Sequence, residues 1–139
     1  MDGSVLFFFA AILIVAALLF AAMAVTRRGT DNLDQDKYRS RWMAIEQKFD
    51  KSNAETYPLA VIYADKLVDA ALRERGFKGE TMGERMKAAA QTWSNANAIW
   101  GAHKLRNKLA HETDAIVQYD ETRRALAGFK QALKDLGAI

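Results

Sequence analysis

The chain has 139 residues, half of them hydrophobic, with 20 Lys and Arg against 17 Asp and Glu, two His and no Cys. Without Cys there is no disulfide and no thiol chemistry, and the composition agrees with a reducing compartment. A formal charge of +3 is compatible with RNA or an anionic membrane surface but is too small to establish either.

The first segment is decided by composition. Val5–Val25 reads VLFFFAAILIVAALLFAAMAV, with no charged and no strongly polar residue. At about 1.5 Å per residue such a helix spans roughly 30 Å, the thickness of a bilayer's hydrocarbon core. Ala22-Met23-Ala24 could pass as a signal-peptide cleavage site, but the run is long for a signal sequence, and only Asp2 precedes it where a basic region is wanted. The expectation is a retained, single-pass anchor taken as residues 1–28. Arg27 and Arg28 follow the span directly, which places the C-terminal domain on the cytoplasmic side of the cell membrane. The membrane is the first expected partner.

A short polar linker, 29–32, leads to one domain, 33–139, with no internal repeat and no low-complexity stretch. Every Lys and Arg lies beyond the span and every acid but Asp2, so this part is one unit more positive than the chain. Its first helix is predicted over about Leu33–Phe49, where Tyr38, Trp42, Ile45 and Phe49 share a face. Ser52-Asn53-Ala54-Glu55 has the form of a capping box and is expected to open the second helix, with Pro58 tolerated near its start. That helix is expected to bury Leu59, Ile62, Tyr63, Leu67, Ala70 and Ala71 and to end near Gly76. Thr81-Met82-Gly83-Glu84 repeats the capping-box form and predicts a short helix to about Ala90. Gly76-Phe77-Lys78-Gly79 before it lacks phosphate-loop spacing and reads as a turn.

The next helix is predicted over about Ser94–Glu112, and the last over about Asp120–Leu136, with Leu126, Phe129, Leu133 and Leu136 in one stripe. Nothing alternates like a strand, so the fold class is all-α: an up-and-down bundle of four to five helices. Ile99, Ala102, Leu105 and Leu109 are expected to pack against Leu126, Phe129 and Leu133.

The Ser94–Glu112 helix carries the candidate site. At about 100° per residue, Ala98, Ala102, Leu105 and Leu109 fall within roughly 60° and form a core stripe. Opposite them, within roughly 80°, lie Trp100, His103, Asn107 and His111, with Arg106 on the border. That face holds both histidines of the chain, where Lys, Glu and Gln are usual. The expectation is an accessible concave surface or a two-fold seam, since Trp and Arg favour interfaces and His titrates near neutral pH.

Arg106-Asn107-Lys108-Leu109-Ala110-His111 is an R-x4-H motif with a polar residue after the Arg. It resembles the signature of the HEPN superfamily, the higher eukaryotes and prokaryotes nucleotide-binding domains. The resemblance covers about Leu33–Ile139 and implies an antiparallel helical bundle that acts as a homodimer through the Trp100–His111 helix face. It implies RNA or nucleotide as partner, with Trp100, His103 and Lys104 at the interface or substrate. In the catalytic members it implies a metal-independent endoribonuclease with no cofactor. Arg106 would stabilise the scissile phosphate, His111 would act as general acid or base, and Asn107 would hold either of them. The products would be a 2′,3′-cyclic phosphate and a 5′-hydroxyl. Many HEPN domains serve only in binding or assembly. A helical membrane adaptor without nucleic acid is the remaining reading.

Overall fold

The computed structural model describes residues 3–26 and 32–139. Among them there are six helices and no strand: α1 (Gly3–Thr26), α2 (Gln35–Lys48), α3 (Thr56–Glu74), α4 (Met82–Ala88), α5 (Ala96–His111) and α6 (Tyr119–Asp135). Asp2, Arg27 and Arg28, which carry the topology expectation, and most of the linker lie outside the described residues.

Helix α1 is continuous over 24 residues, a length of about 36 Å at 1.5 Å per residue. Its Phe, Leu and Ile side chains are exposed on all sides, and nothing in the fold covers them. By length and composition it can cross a membrane. Each such side chain left in water forfeits about 1.5–3 kcal/mol, so an apolar surrounding is its favourable state.

The other five helices build around α3, which packs against α2, α4, α5 and α6. Tyr38, Trp42 and Ile45 of α2 are buried, and Phe49 packs against the core beyond the helix end. On α6 the stripe Leu126, Phe129, Leu133 and Leu136 is buried as its spacing predicts. It meets Ile99, Ala102 and Leu105 of α5, which are also buried, with Leu109 partly so. Phe49 stacks on Tyr119 with ring centroids 5.5 Å apart and meets Tyr57 edge-on at 5.5 Å, joining the end of α2 to the starts of α3 and α6.

Local chemistry sets several helix ends. Thr81 accepts from the backbone N–H of Glu84, whose carboxylate accepts in return from the N–H of Thr81 and of Glu80. These two backbone donors hold the Glu84 carboxyl below its ordinary range. Gly76, at φ 81°, closes α3: its N–H donates to the Arg73 carbonyl, and that of Phe77 to Leu72. Gly137 closes α6 with the same pair of bonds.

Two expectations are corrected. Ser52–Glu55 forms no capping box. Asn53 accepts from the N–H of Glu55, and the Thr56 hydroxyl donates to the Asn53 carbonyl, so these side chains build a turn and α3 starts later, at Thr56. Pro58 then sits in the first turn of α3, as expected. The buried face of α3 also differs in part. Leu67 and Ala71 are buried as expected, together with Ala60, Val61, Ala64, Val68 and Leu72, whereas Leu59 is 53 % and Tyr63 46 % exposed. Both stripes are apolar in the sequence. The structure buries the one rich in Ala, because small side chains let four helices approach α3 closely.

Close approach also governs the α5–α6 contact. A Cβ on Gly128 would lie 2.7 Å from the Ala98 carbonyl oxygen, a backbone atom that cannot swing aside. Gly128→Ala is therefore expected to destabilise the domain by about 1–3 kcal/mol, despite its better helix propensity. Chemical denaturation checks this, and an unchanged midpoint would mean that α5 and α6 separate without cost.

Candidate functional site

Helix α5 begins at the Asn95 side chain, which accepts from the Ala98 N–H, and it stays helical through His111. Its second face is graded rather than uniformly accessible. Trp100 is partly buried against the core, His103 is buried, Asn107 is half-buried, and His111 is exposed. The reason is the position of α3 and α4. A Cβ on Gly83 of α4 would stand 4.0 Å from both His103 Nε2 and the Trp100 ring, so α4 covers this part of the face. Trp100 meets His103 edge-on at 6.3 Å.

The partner of His103 is Asp65 of α3, 3 % exposed. Its Oδ1 lies 2.8 Å from His103 Nδ1. An ionised carboxylate only accepts, so Nδ1 carries the proton. The other oxygen, Oδ2, lies 3.2 Å from Arg106 Nε. That is an ion-pair distance, although the Nε–H is not aligned as a hydrogen bond. Arg106 Nη1 donates to Asn107 Oδ1 at 3.2 Å. The Arg106 side chain remains 31 % exposed, so its inner edge is braced while its outer part meets solvent. A guanidinium held this way can take a phosphate or carboxylate oxygen without first being ordered.

The sequence reading of the face as one that points away from the core is thus corrected at His103. A folded monomer does gain from this histidine, which satisfies a buried carboxylate. Lys104, Lys108 and His111 are exposed. Because α5 is unbroken to its last residue, Arg106 and His111 leave the helix roughly 140° apart. Within one copy they do not point to a common centre.

Asp65 was not singled out from sequence, nor was the neighbouring cluster one turn along α3. There Arg85 of α4 donates from Nε to Asp69 Oδ1 at 2.7 Å and from Nη2 to Asp69 Oδ2 at 3.0 Å, and from Nη1 to the Gly79 carbonyl at 2.7 Å. Arg73 adds a 2.8 Å contact to Asp69. This bidentate pair fastens α4 and the preceding turn to α3. The available signal was two acids, Asp65 and Asp69, set one helical turn apart in a stretch that is apolar but for them and Lys66. Their spacing puts them on one face, and a carboxylate on a buried face needs a cation or a donor.

The fold and site define an all-helical domain behind an apolar helix, with a braced arginine on α5. The chain matches no protein-family model, no curated protein and no solved structure.

Proposed function

We propose that this is a membrane-anchored, HEPN-like helical module that binds RNA or nucleotide phosphate through Arg106, Asn107 and His111 and works as a homodimer. The anchor is α1, and the two arginines after it set the domain on the cytoplasmic face. The observation that carries the reading is the brace: a buried Asp65 carboxylate against Arg106 Nε, with the guanidinium still part-exposed beside Asn107. A cation prearranged at the surface loses little freedom on meeting a phosphate. Lys104 and Lys108 add exposed positive charge along the same helix.

The endoribonuclease reading is favoured by one specific feature. His111 is exposed at the end of an unbroken α5, so a second copy could bring its histidine to the first copy's arginine. Cleavage then requires two copies, because one helix holds the pair apart.

The test uses the full chain in mild detergent, a fluorescent oligoribonucleotide and EDTA. Wild type is expected to bind, and His111→Ala to weaken binding about tenfold, the loss of one charge-assisted contact. The unfolding midpoint of His111→Ala should barely move, since exposed substitutions shift stability by under about 0.5 kcal/mol. Arg106→Lys keeps the charge but loses the fork, and should weaken binding comparably. A cyclic-phosphate product that disappears in His111→Ala selects the nuclease reading. No binding by wild type would leave a helical adaptor that does not act on nucleic acid.

A further inference from the structure

The face of α3 that the fold leaves uncovered is part of a groove. Arg41, Ile45 and Lys48 of α2 and Tyr63, Lys66 and Leu67 of α3 line a cavity of about 300 Å³ between the two helices. Its floor is apolar and its rim carries three cations, and no acid lines it. The acid whose charge also reaches Arg41 is Glu74. It is paired with Lys37 at 2.6 Å and lies outside the groove. Leu59, one turn before Tyr63 and more than half exposed, extends the apolar strip beyond the lining. The groove between α5 and α6 differs: Glu121 and Arg124 both line it, so it has no single sign.

A core-like stripe left open, rimmed by one sign of charge, suits an amphipathic anion. Long Lys and Arg stems lie along apolar surface while their heads meet charge, and Tyr favours a boundary between apolar and wet surroundings. The geometry of the chain supplies such anions. Residues 27–34 separate the end of α1 from the start of α2. Eight residues reach at most about 28 Å fully extended. With α1 in a bilayer, the groove is never far from headgroups, and the tether turns docking into an intramolecular event. The potential of an anionic leaflet draws Lys and Arg to within a Debye length of the surface.

We infer that the α2–α3 groove docks on the membrane that α1 crosses, seating the headgroup of an anionic phospholipid against Arg41, Lys48 and Lys66, with the first methylenes of its acyl chains over Ile45 and Leu67. The inference rests on α1 as a span and is independent of the RNA reading. It gives the domain a fixed face toward the bilayer, with the groove turned to lipid.

Because the chain has no Cys, a single engineered thiol reports cleanly. Full-length Ala44→Cys, whose position lines the groove, is labelled with an environment-sensitive dye. The labelled chain is placed in nanodiscs of phosphatidylcholine alone or with about a third phosphatidylglycerol. Quenching by neutral acrylamide should be about twofold lower in the anionic discs, with a blue-shifted emission. The triple variant Arg41→Gln, Lys48→Gln, Lys66→Gln should lose the difference, and a label at Gln131→Cys, in the other groove, should show none. Equal quenching in both lipids overturns the inference, as does an equal response at Gln131. A response to soluble glycerol phosphate in phosphatidylcholine discs also overturns it, by showing a free-anion site instead of a membrane surface. Co-elution with the nanodiscs reports the span separately. A chain that does not co-elute removes the span and the docking together, whereas one that co-elutes without the dye response removes the docking alone.

Discussion

Phe129→Ala is expected to destabilise the domain by about 3–5 kcal/mol. Phe129 has no exposed surface and sits in the middle of α6, the helix that packs against both α5 and α3. Its neighbours along the stripe, Leu126 and Leu133, are buried as well, so the space left by the ring cannot be filled by a side chain swinging in from solvent. The loss therefore combines transfer free energy with a cavity term. Domains of this size have a total stability of about 5–15 kcal/mol, so the substitution removes a large share of it. Phe129→Leu, which keeps most of the volume, should cost clearly less. The measurement is chemical denaturation of the full chain in mild detergent, followed by Trp fluorescence. A loss under about 1 kcal/mol would show that the α5–α6 seam is not a packed core.

Asp65→Ala is the second large expected effect, at about 3 kcal/mol. The carboxylate is buried and faces two groups from α5, His103 at 2.8 Å and Arg106 at 3.2 Å. Removing it strands the Nδ1–H of a buried imidazole and leaves a partly buried guanidinium without its counter-charge. The figure stays at the low end for a broken ion pair because Arg106 retains 31 % of its side-chain surface in contact with water. Asp65→Asn, which still accepts a hydrogen bond but carries no charge, should lie between wild type and Asp65→Ala. A double-mutant cycle with His103→Ala isolates the pair, with an expected coupling of at least about 1 kcal/mol. If the proposed role of Arg106 is right, Asp65→Asn also weakens oligoribonucleotide binding, although Asp65 touches no ligand. Additive losses in the cycle would sink the Asp65–His103 pair. An unchanged affinity in Asp65→Asn would separate the brace from binding.

The helices were legible where one segment settles its own conformation. Thr81 and Glu84 satisfy each other's backbone donors across three residues, and Gly76 takes the positive φ that ends α3. Ser52–Glu55 shows the limit of the same reasoning. It has the letters of a capping box, but Asn53 takes the N–H of Glu55 and Asp50 takes that of Ser52. The α5 motif was legible as a pattern of residue types. The structure sorts its members, with His103 inside, Arg106 at the edge and His111 outside.

Composition alone determined α1, because the free energy of an all-round apolar run depends only on its own surface and not on any neighbour. Spacing alone determined the stripes of α2 and α6, where each helix offers a single apolar face. Helix α3 offers two, and periodicity cannot choose between them. That choice was made by the packing of α2, α5 and α6 on α3, which buries Ala60, Ala64 and Ala71 and leaves Leu59 and Tyr63 as an open strip. The role of His103 was likewise decided at a distance, by a carboxylate 38 residues earlier in the chain. A buried charge takes whichever partner the packing brings to it, and that pairing exists only once α3, α4 and α5 have closed around it.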